Sequence, residues 1–443
     1  MEADKSQNIQ IEHLKNAEIL KQQGQLSEAV QEYRKAIELT PDNASIHQNL
    51  GNLFKEQGRI EEAISCYRKV ADINPSYKSF VQLGYLLRIN QQSDEAAAFY
   101  VKAIELEPRK WDAYGMLIQG VWKPSDTEYL KTALQKVIEN NPSNTFLYFS
   151  LGRLLTQKGK IDEAVTFFQK GSNINAARFN PFFEKFKFSS SLKPVKYPDF
   201  LIIGSGKCGT SSLHQYLCNH PQILSPLTKE IGFFDLPGVY ANGIRWYLSH
   251  YPQIPDGENF ITGEASPGYL YRHDVEKRVF QAFPNVKLIV MMRNPVDRTI
   301  SAYHHSVRWN GELRSIDEVI DSEMEMIKGL SDPSDIRKSK VKFEPRHVVW
   351  SLYYYFLKNW MEVFPKKQFL VLNSEDFFAN PEKVLNQVFN FLNLPTYKLQ
   401  SYPVYQSGGS YDKSEKLKSK LSDFFKPHNQ KLEEVLDRKL NWD

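Results

Sequence analysis

Within nine residues, Gly204-Ser-Gly-Lys-Cys-Gly-Thr-Ser-Ser212 gathers three glycines, one lysine and four hydroxyls, a set suited to cradling an anion. Glycines let the backbone approach a ligand without Cβ obstruction. The free N–H groups and dipole of a helix opening at Thr210 favour negative charge. A Walker A loop ends in Gly-Lys-[Ser/Thr], but here Thr210 follows Gly209 and Lys207 lies earlier in the loop. The anion is therefore expected to be held without the usual Ser/Thr–magnesium arrangement. A second such place is Lys287-Leu-Ile-Val-Met-Met-Arg-Asn-Pro-Val-Asp-Arg-Thr-Ile-Ser301. Where a Walker B strand would end in a metal-binding aspartate, this run ends in Arg293, a fixed cation. Pro295 suits the first turn of a helix, and Ser301 lies two turns beyond Arg293, so a guanidinium and a hydroxyl converge on one further anion.

Phe200–Ile203, with its β-branched and aromatic residues, reads as a buried strand leading into the glycine loop. Further strands are expected at about 260–264, 287–292 and 368–372, with helices from 210 and at about 272–282, 295–307 and 345–364. This alternation predicts an α/β domain over residues 198–443, with a central parallel sheet covered by helices. Ligands of such sheets sit at the carboxyl ends of the strands, where both candidate anion sites fall.

The first part of the chain has a different rhythm. Pro41, Pro75, Pro108 and Pro142 recur at spacings of 34, 33 and 34 residues. Small and aromatic residues precede them at matching offsets: Gly24, Ala29 and Tyr33; Gly51, Gly58, Ala63 and Tyr67; Gly84, Ala96 and Tyr100; and, in a fifth copy without a proline, Gly152, Gly159, Ala164 and Phe168. Small residues let two helices approach, the aromatic plugs the next repeat, and proline ends the second helix. These residues resemble tetratricopeptide (TPR) repeats over 8–177, with the copy around Trp111–Pro142 degenerate. The fold expected is an all-α TPR solenoid followed by the α/β domain, a P-loop-like one. Residues 178–197, rich in phenylalanine (Phe179, Phe182, Phe183, Phe186, Phe188), read as a cap and linker that covers the last repeat or docks on the second domain. The solenoid surface is expected to bind a protein partner or position an extended acceptor.

The net charge of +4 divides as +3 over residues 1–197 and +1 over 198–443, without the excess of a nucleic-acid binder. The polar N-terminus carries no apolar leader and no apolar run approaches a membrane span of ~20 residues, so the expectation is a cytoplasmic protein. Three cysteines, Cys66, Cys208 and Cys218, give neither a disulfide framework nor zinc-ligand spacing, and no metal is expected.

Taken together, the glycine loop, the Arg293–Ser301 segment, Lys229-Glu-Ile-Gly-Phe-Phe-Asp235 with Gly243-Ile-Arg-Trp-Tyr247, and Gly263-Glu-Ala-Ser-Pro-Gly-Tyr269 resemble the sulfotransferase family. The likeness is to its carbohydrate branch of heparan sulfate N- and O-sulfotransferases and their bacterial relatives. The resemblance implies 3′-phosphoadenosine 5′-phosphosulfate (PAPS) as donor. Its 5′-phosphosulfate loop matches Gly206, Lys207, Cys208, Gly209, Thr210, Ser211 and Ser212, and its 3′-phosphate motif matches Arg293 and Ser301. Lys207 would neutralise charge on the bridging oxygen as the phosphosulfate bond breaks. The acceptor, a hydroxyl or amine, must lose a proton, and the family resemblance makes Glu230 the base, with Lys229 nearby, Phe233 and Phe234 in the core beneath, and Glu264 or His305 as alternatives. His305 follows Ser301 by four residues on one helical face and matches a histidine of the N-sulfotransferase branch. Relatives carry lysine where this chain has Ala265. Tyr411 and Lys413 belong to a segment resembling the family's C-terminal cover over the donor, here without its basic pattern or cysteines. Cys208 also reads as a small filler of the loop. Loops 238–258 and 309–345 are expected to select the acceptor. Two other classes were weighed, a TPR scaffold with an inactive nucleotide-binding domain and a P-loop NTPase, and the latter lacks both its lysine and its metal aspartate.

Overall fold

A computed structural model describes residues 2–108, 110, 112–119, 124–187, 189, 191–309, 311–330, 333, 335, 347–405 and 414–442. The chain divides into two compact units, Met1–Phe167 and Phe168–Asp443.

The first unit is built from antiparallel helix pairs whose boundaries follow the repeat: Leu26–Leu39, Ala44–Glu56, Ile60–Ile73, Tyr77–Ile89 and Ser93–Leu106 lie between the longer Glu2–Gln22 and the degenerate copy at Asp112–Gln119 and Pro124–Asn140. The repeat positions are the core. Ala29, Ala63, Ala96 and Ala164 are fully buried, as are Tyr33, Tyr67 and Tyr100 to within 1%. Gly51 faces the Tyr67 ring and Gly84 the Tyr100 ring so closely that a Cβ would lie 3.0 and 2.8 Å from ring carbons. In these two repeats the small residue and the aromatic are thus two halves of one contact.

The second unit begins inside the last repeat helix, Ile161–Phe179. From Phe168 onward that helix packs into the α/β unit. Phe168 meets Trp246 edge-on at 5.5 Å and His250 at 4.1 Å. Polar side chains on the same helix reach loop carbonyls: Gln169 Nε2 donates to Tyr251 O at 2.8 Å, Ser172 Oγ to Ser249 O at 2.9 Å, and Asn175 Nδ2 to Pro226 O at 2.6 Å. The phenylalanine-rich segment packs both on the end of this helix and on the α/β core. Phe183 is fully buried in a cluster with Ala176, Ala177 and Leu224, flanked by Phe186 and Phe260. Phe182 is exposed, and Phe188 lies outside the described residues.

Among the described residues, seven strands follow: β1 (Leu192–Lys193), β2 (Phe200–Gly204), β3 (Ile223–Leu224), β4 (Ile254–Pro255), β5 (Ile261–Ala265), β6 (Lys287–Met292) and β7 (Phe369–Asn373). β1 and β4 form a small antiparallel ribbon; the other five make one sheet in the order β3-β5-β2-β6-β7, every pair parallel. β2 is buried at all five positions, the pattern of a central parallel strand covered on both faces. β5 runs so close to it that a Cβ on Gly263 would lie 2.3 Å from Phe200 O and 2.7 Å from the Phe200 ring. A backbone oxygen in a central strand cannot yield, so Gly263→Ala is expected to destabilise the unit by about 3 kcal/mol, measured as the urea midpoint at constant slope.

Some expected elements change shape. The helix expected over 345–364 is a 3₁₀ turn at Val349–Ser351 followed by a helix only from Tyr353 to Met361. The C-terminal helix runs from Glu415 to Leu436 with Pro427 inside it. Buried Leu421 and Phe425 before the proline and Leu432 after it hold both halves against the unit, offsetting the hydrogen bond the proline removes. No described helix is long and apolar enough to cross a membrane.

Candidate functional site

Parallel strands β2 and β6 release their chains at the same edge of the sheet, one into the glycine loop and the other into the helix Pro295–Trp309. Between them lies a cleft of about 860 Å³ lined by Gly206, Lys207, Gly209, Thr210 and Ser211 of the loop, Lys229 and Glu230, and Arg293, Ser301 and His305. Residues from three separate motifs are therefore brought to one place. Lys207 adopts a left-handed backbone conformation (φ 71°) and Gly209, which precedes the helix Thr210–Cys218, another (φ 87°). A Cβ on Gly209 would lie 2.9 Å from the Phe378 ring.

Cations crowd the cleft around Lys207, with the carboxylates of Glu230, Asp297 and Glu375 also on its lining. Burial, together with the guanidinium groups of Arg298, Arg308 and Arg293, holds the Lys207 ammonium below the usual lysine range. Among the described residues neither Lys207 nor Arg293 makes an ion pair, so Arg293 is not spent on capping the sheet with a carboxylate. Burial, then Lys207 and Arg308, also lowers the His305 imidazole, with Glu230 opposing. Such a cluster of desolvated cations gains from a multiply charged anion. The volume is that of a nucleotide-sized site.

Two loop residues do not face this cleft. Cys208 is fully buried, its Sγ 3.6 Å from Tyr353 Oη and 3.7 Å from Gly206 O, and burial raises its thiol pKa. It fills the turn. Ser212 is fully buried and its Oγ accepts the Tyr405 N–H at 3.1 Å. Through that bond it fastens the segment whose Val404 and Tyr405 line the cleft. Tyr411 and Lys413 lie outside the described residues. Loop 238–258 contributes nothing to the lining, because Trp246, Tyr247 and Tyr251 turn inward and are buried. The described residues of 309–345 do not line it either.

Other groups at the site escaped the sequence reading. Arg298, 1% exposed, donates from Nε to Gly206 O at 3.1 Å and from Nη1 to His347 O at 2.7 Å, tying the glycine loop to the turn after residue 346. Its guanidinium lies near the rings of Tyr271 and Trp350, which stack at 5.0 Å. The signal was present: Arg298, Ser301 and His305 share one stripe of a helix. A buried chain runs behind them, in which His347 Nε2 lies 2.9 Å from Ser306 Oγ and His347 Nδ1 lies 2.8 Å from Glu323 Oε1. Glu323 also accepts the backbone N–H groups of His347, Val348 and Val349, so its carboxylate caps the start of the turn that carries Trp350. Partners 24 and 41 residues apart leave no local pattern to read.

Glu230 and Glu264 separate cleanly. Glu230 is exposed in the cleft, paired with Lys229, and has φ 62°. Glu264 is fully buried and absent from the lining, with four donors around its carboxylate. A carboxylate so enclosed is in no position to take a proton from a substrate, which removes it as an alternative base.

Comparison with known proteins places each part of the chain beside a known family. The Sulfotransferase domain family matches residues 197–426, and tetratricopeptide repeat families match 17–58, 44–77, 77–110 and 133–166. A membrane-associated sulfotransferase of Dictyostelium discoideum is 27% identical over 314 residues, covering 55% of this chain and 66% of that protein. Heparan sulfate glucosamine 3-O-sulfotransferase 5 of Mus musculus is 30% identical over 268 residues, covering 55% of this chain and 74% of its own length. Among solved structures, a sulfotransferase from Alicyclobacillus acidocaldarius is 31% identical over 56% of this chain and 99% of its own, with a TM-score of 0.45. With more than half its length matched by that domain and helical repeats ahead of it, the chain belongs to the sulfotransferase family.

Proposed function

We propose that this protein transfers a sulfuryl group from PAPS to a hydroxyl or amine of a carbohydrate or other extended acceptor by in-line displacement. The observation that carries the reading is the cleft in which Lys207, Arg293, Ser301, Glu230 and His305 meet at the carboxyl edge of β2 and β6. The loop N–H groups and Lys207 receive the 5′-phosphosulfate, and Arg293 with Ser301 receives the 3′-phosphate. A sulfuryl group carries fewer charges than a phosphoryl group, so lysine and backbone donors suffice without a metal, consistent with Arg293 standing where a metal-binding aspartate would. As the bridging S–O bond breaks, the Lys207 ammonium neutralises the charge that develops on the leaving phosphate. Glu230 takes the acceptor's proton as the new S–O or S–N bond forms. His305, whose imidazole burial holds below the usual histidine range, lines the cleft and serves as a hydrogen-bonding partner for the acceptor.

The carbohydrate acceptor is suggested by the heparan sulfate enzymes among the relatives. We assign residues 8–177 to a repeat array that binds a protein partner or holds an extended acceptor, 178–197 to its cap and linker, and 198–443 to the transferase. Three buried, unpaired thiols fit a reducing compartment such as the cytoplasm. Calorimetric titration with 3′-phosphoadenosine 5′-phosphate in EDTA tests the donor assignment. Binding is expected without magnesium, and Arg293→Ala should weaken it by about 2–3 kcal/mol, the worth of a charge-assisted contact. No binding, or unchanged affinity in both Arg293→Ala and Ser301→Ala, would remove PAPS as the donor.

A further inference from the structure

Glu264 ends β5 in complete burial, yet every lone-pair direction of its carboxylate is used. Oε2 accepts the Ile231 N–H at 3.2 Å and Ser266 Oγ–H at 2.7 Å; Oε1 accepts Tyr247 Oη–H at 2.8 Å and Tyr269 Oη–H at 2.9 Å. Burial holds the carboxyl pKa above its usual range, with these donors opposing it. A buried carboxylate is costly, so its place should be explained by what it holds.

What it holds is the turn that presents Glu230. Glu230 lies in the left-handed region at φ 62°, which is unfavourable for a residue with a Cβ, and Gly232 follows at φ 65°. Three hydrogen bonds clamp this backbone: Glu230 N–H to Ala265 O at 3.1 Å, Ile231 N–H to Glu264 Oε2, and Phe233 N–H to Tyr269 Oη at 3.1 Å. Two of the three end on Glu264 or on the tyrosine bound to it. Phe233 adds packing beneath, stacked on Tyr247 at 4.8 Å.

We infer that Glu264, acting with Tyr269, is a positioning residue that holds Glu230 in its strained backbone conformation facing the cleft. The inference rests on the reading of Glu230 as the base. Without the clamp, the turn relaxes toward ordinary backbone angles and the Glu230 carboxylate leaves the acceptor's proton. Donor contacts, which come from the loop after β2 and the helix after β6, are untouched.

The test is kinetic, on the full chain, with Glu264→Gln and Tyr269→Phe. Each should lower kcat by about 10- to 100-fold, the scale of an ångström-level misplacement, while the KM for PAPS and the affinity for 3′-phosphoadenosine 5′-phosphate stay within about twofold. In a Glu230→Gln background, Glu264→Gln should lower the residual rate no further, because the group it positions is already gone. Should Glu264→Gln fail to fold, Tyr269→Phe keeps the carboxylate and carries the same test. Wild-type kcat in both variants, the same fractional loss in the Glu230→Gln background, or a parallel loss of nucleotide affinity would overturn the inference. Wild-type turnover in Glu230→Gln itself would instead sink the base assignment, whereas a silent Glu264→Gln beside an inactive Glu230→Gln sinks the positioning role alone.

Discussion

Replacing Glu230 by glutamine is expected to lower kcat by about 10²–10⁴-fold while donor binding persists, because an amide keeps the shape of the carboxylate but cannot take a proton. The proposed donor contacts lie elsewhere on the cleft wall: Lys207, Thr210 and Ser211 on the glycine loop, and Arg293 and Ser301 beyond β6. The substitution therefore separates chemistry from binding. Steady-state rates with saturating PAPS, alongside calorimetric titration of 3′-phosphoadenosine 5′-phosphate, measure both. A rate loss matched by a loss of nucleotide affinity would mean that Glu230 and its partner Lys229 serve the donor site. Unchanged turnover would move the base to His305, the alternative group on the same wall of the cleft as Ser301.

Lys207→Ala is expected to be the other severe substitution, lowering kcat by about 10²–10³-fold, as removal of one preorganised group at a developing charge does. Its pH behaviour distinguishes it from a mere anchor. In the free protein, burial and the guanidinium groups of Arg298, Arg308 and Arg293 disfavour the charged form of Lys207. As pH rises, the ammonium is lost earlier than for an ordinary lysine of pKa about 10.4. The alkaline fall of kcat/KM, which reports the free enzyme, should accordingly lie below that range in the wild type and be missing from the residual activity of Lys207→Ala. An alkaline limb preserved in Lys207→Ala would assign the titration to another group.

The parts of the site legible in the sequence are those whose role depends on local geometry. A glycine loop after a strand, an arginine at the next strand's end, and hydroxyl and histidine at i and i+4 on one helix are all short-range patterns, and Lys207, Arg293, Ser301 and His305 line one cleft. The repeat array was legible for the same reason, since its small and aromatic positions recur at fixed offsets; Ala29, Ala63, Ala96 and Ala164 and the tyrosines Tyr33, Tyr67 and Tyr100 are buried, while Gly24, Gly58 and Gly159 are exposed and have positive φ. What escaped depends on which way a side chain turns, or on partners far along the chain. Ser212 sits in the loop by sequence but turns into the core onto Tyr405, 193 residues away, whereas the buried Cys208 fills the turn as its size suggests. Glu264 looked like a second catalytic carboxylate because strand ends commonly carry one. Only the surrounding tyrosine and serine hydroxyls and the Ile231 N–H identify it as a buried acceptor. Arg298 was readable as a helix-face residue but not as a cation whose partners are carbonyls of Gly206 and His347.

The central claim is sulfuryl transfer from PAPS by the cleft residues, and its most direct measurement follows radiolabelled sulfate. The full chain and its Glu230→Gln variant are incubated in EDTA with ³⁵S-labelled PAPS and a panel of heparan-type, hydroxyl-bearing and amine-bearing acceptors, together with a desalted cell extract. Transfer of label from nucleotide to acceptor by the wild type, reduced at least 10²-fold in the variant, is the predicted result. Tight nucleotide binding with no label leaving PAPS for any acceptor or extract component would contradict the claim and favour a nucleotide-binding scaffold instead.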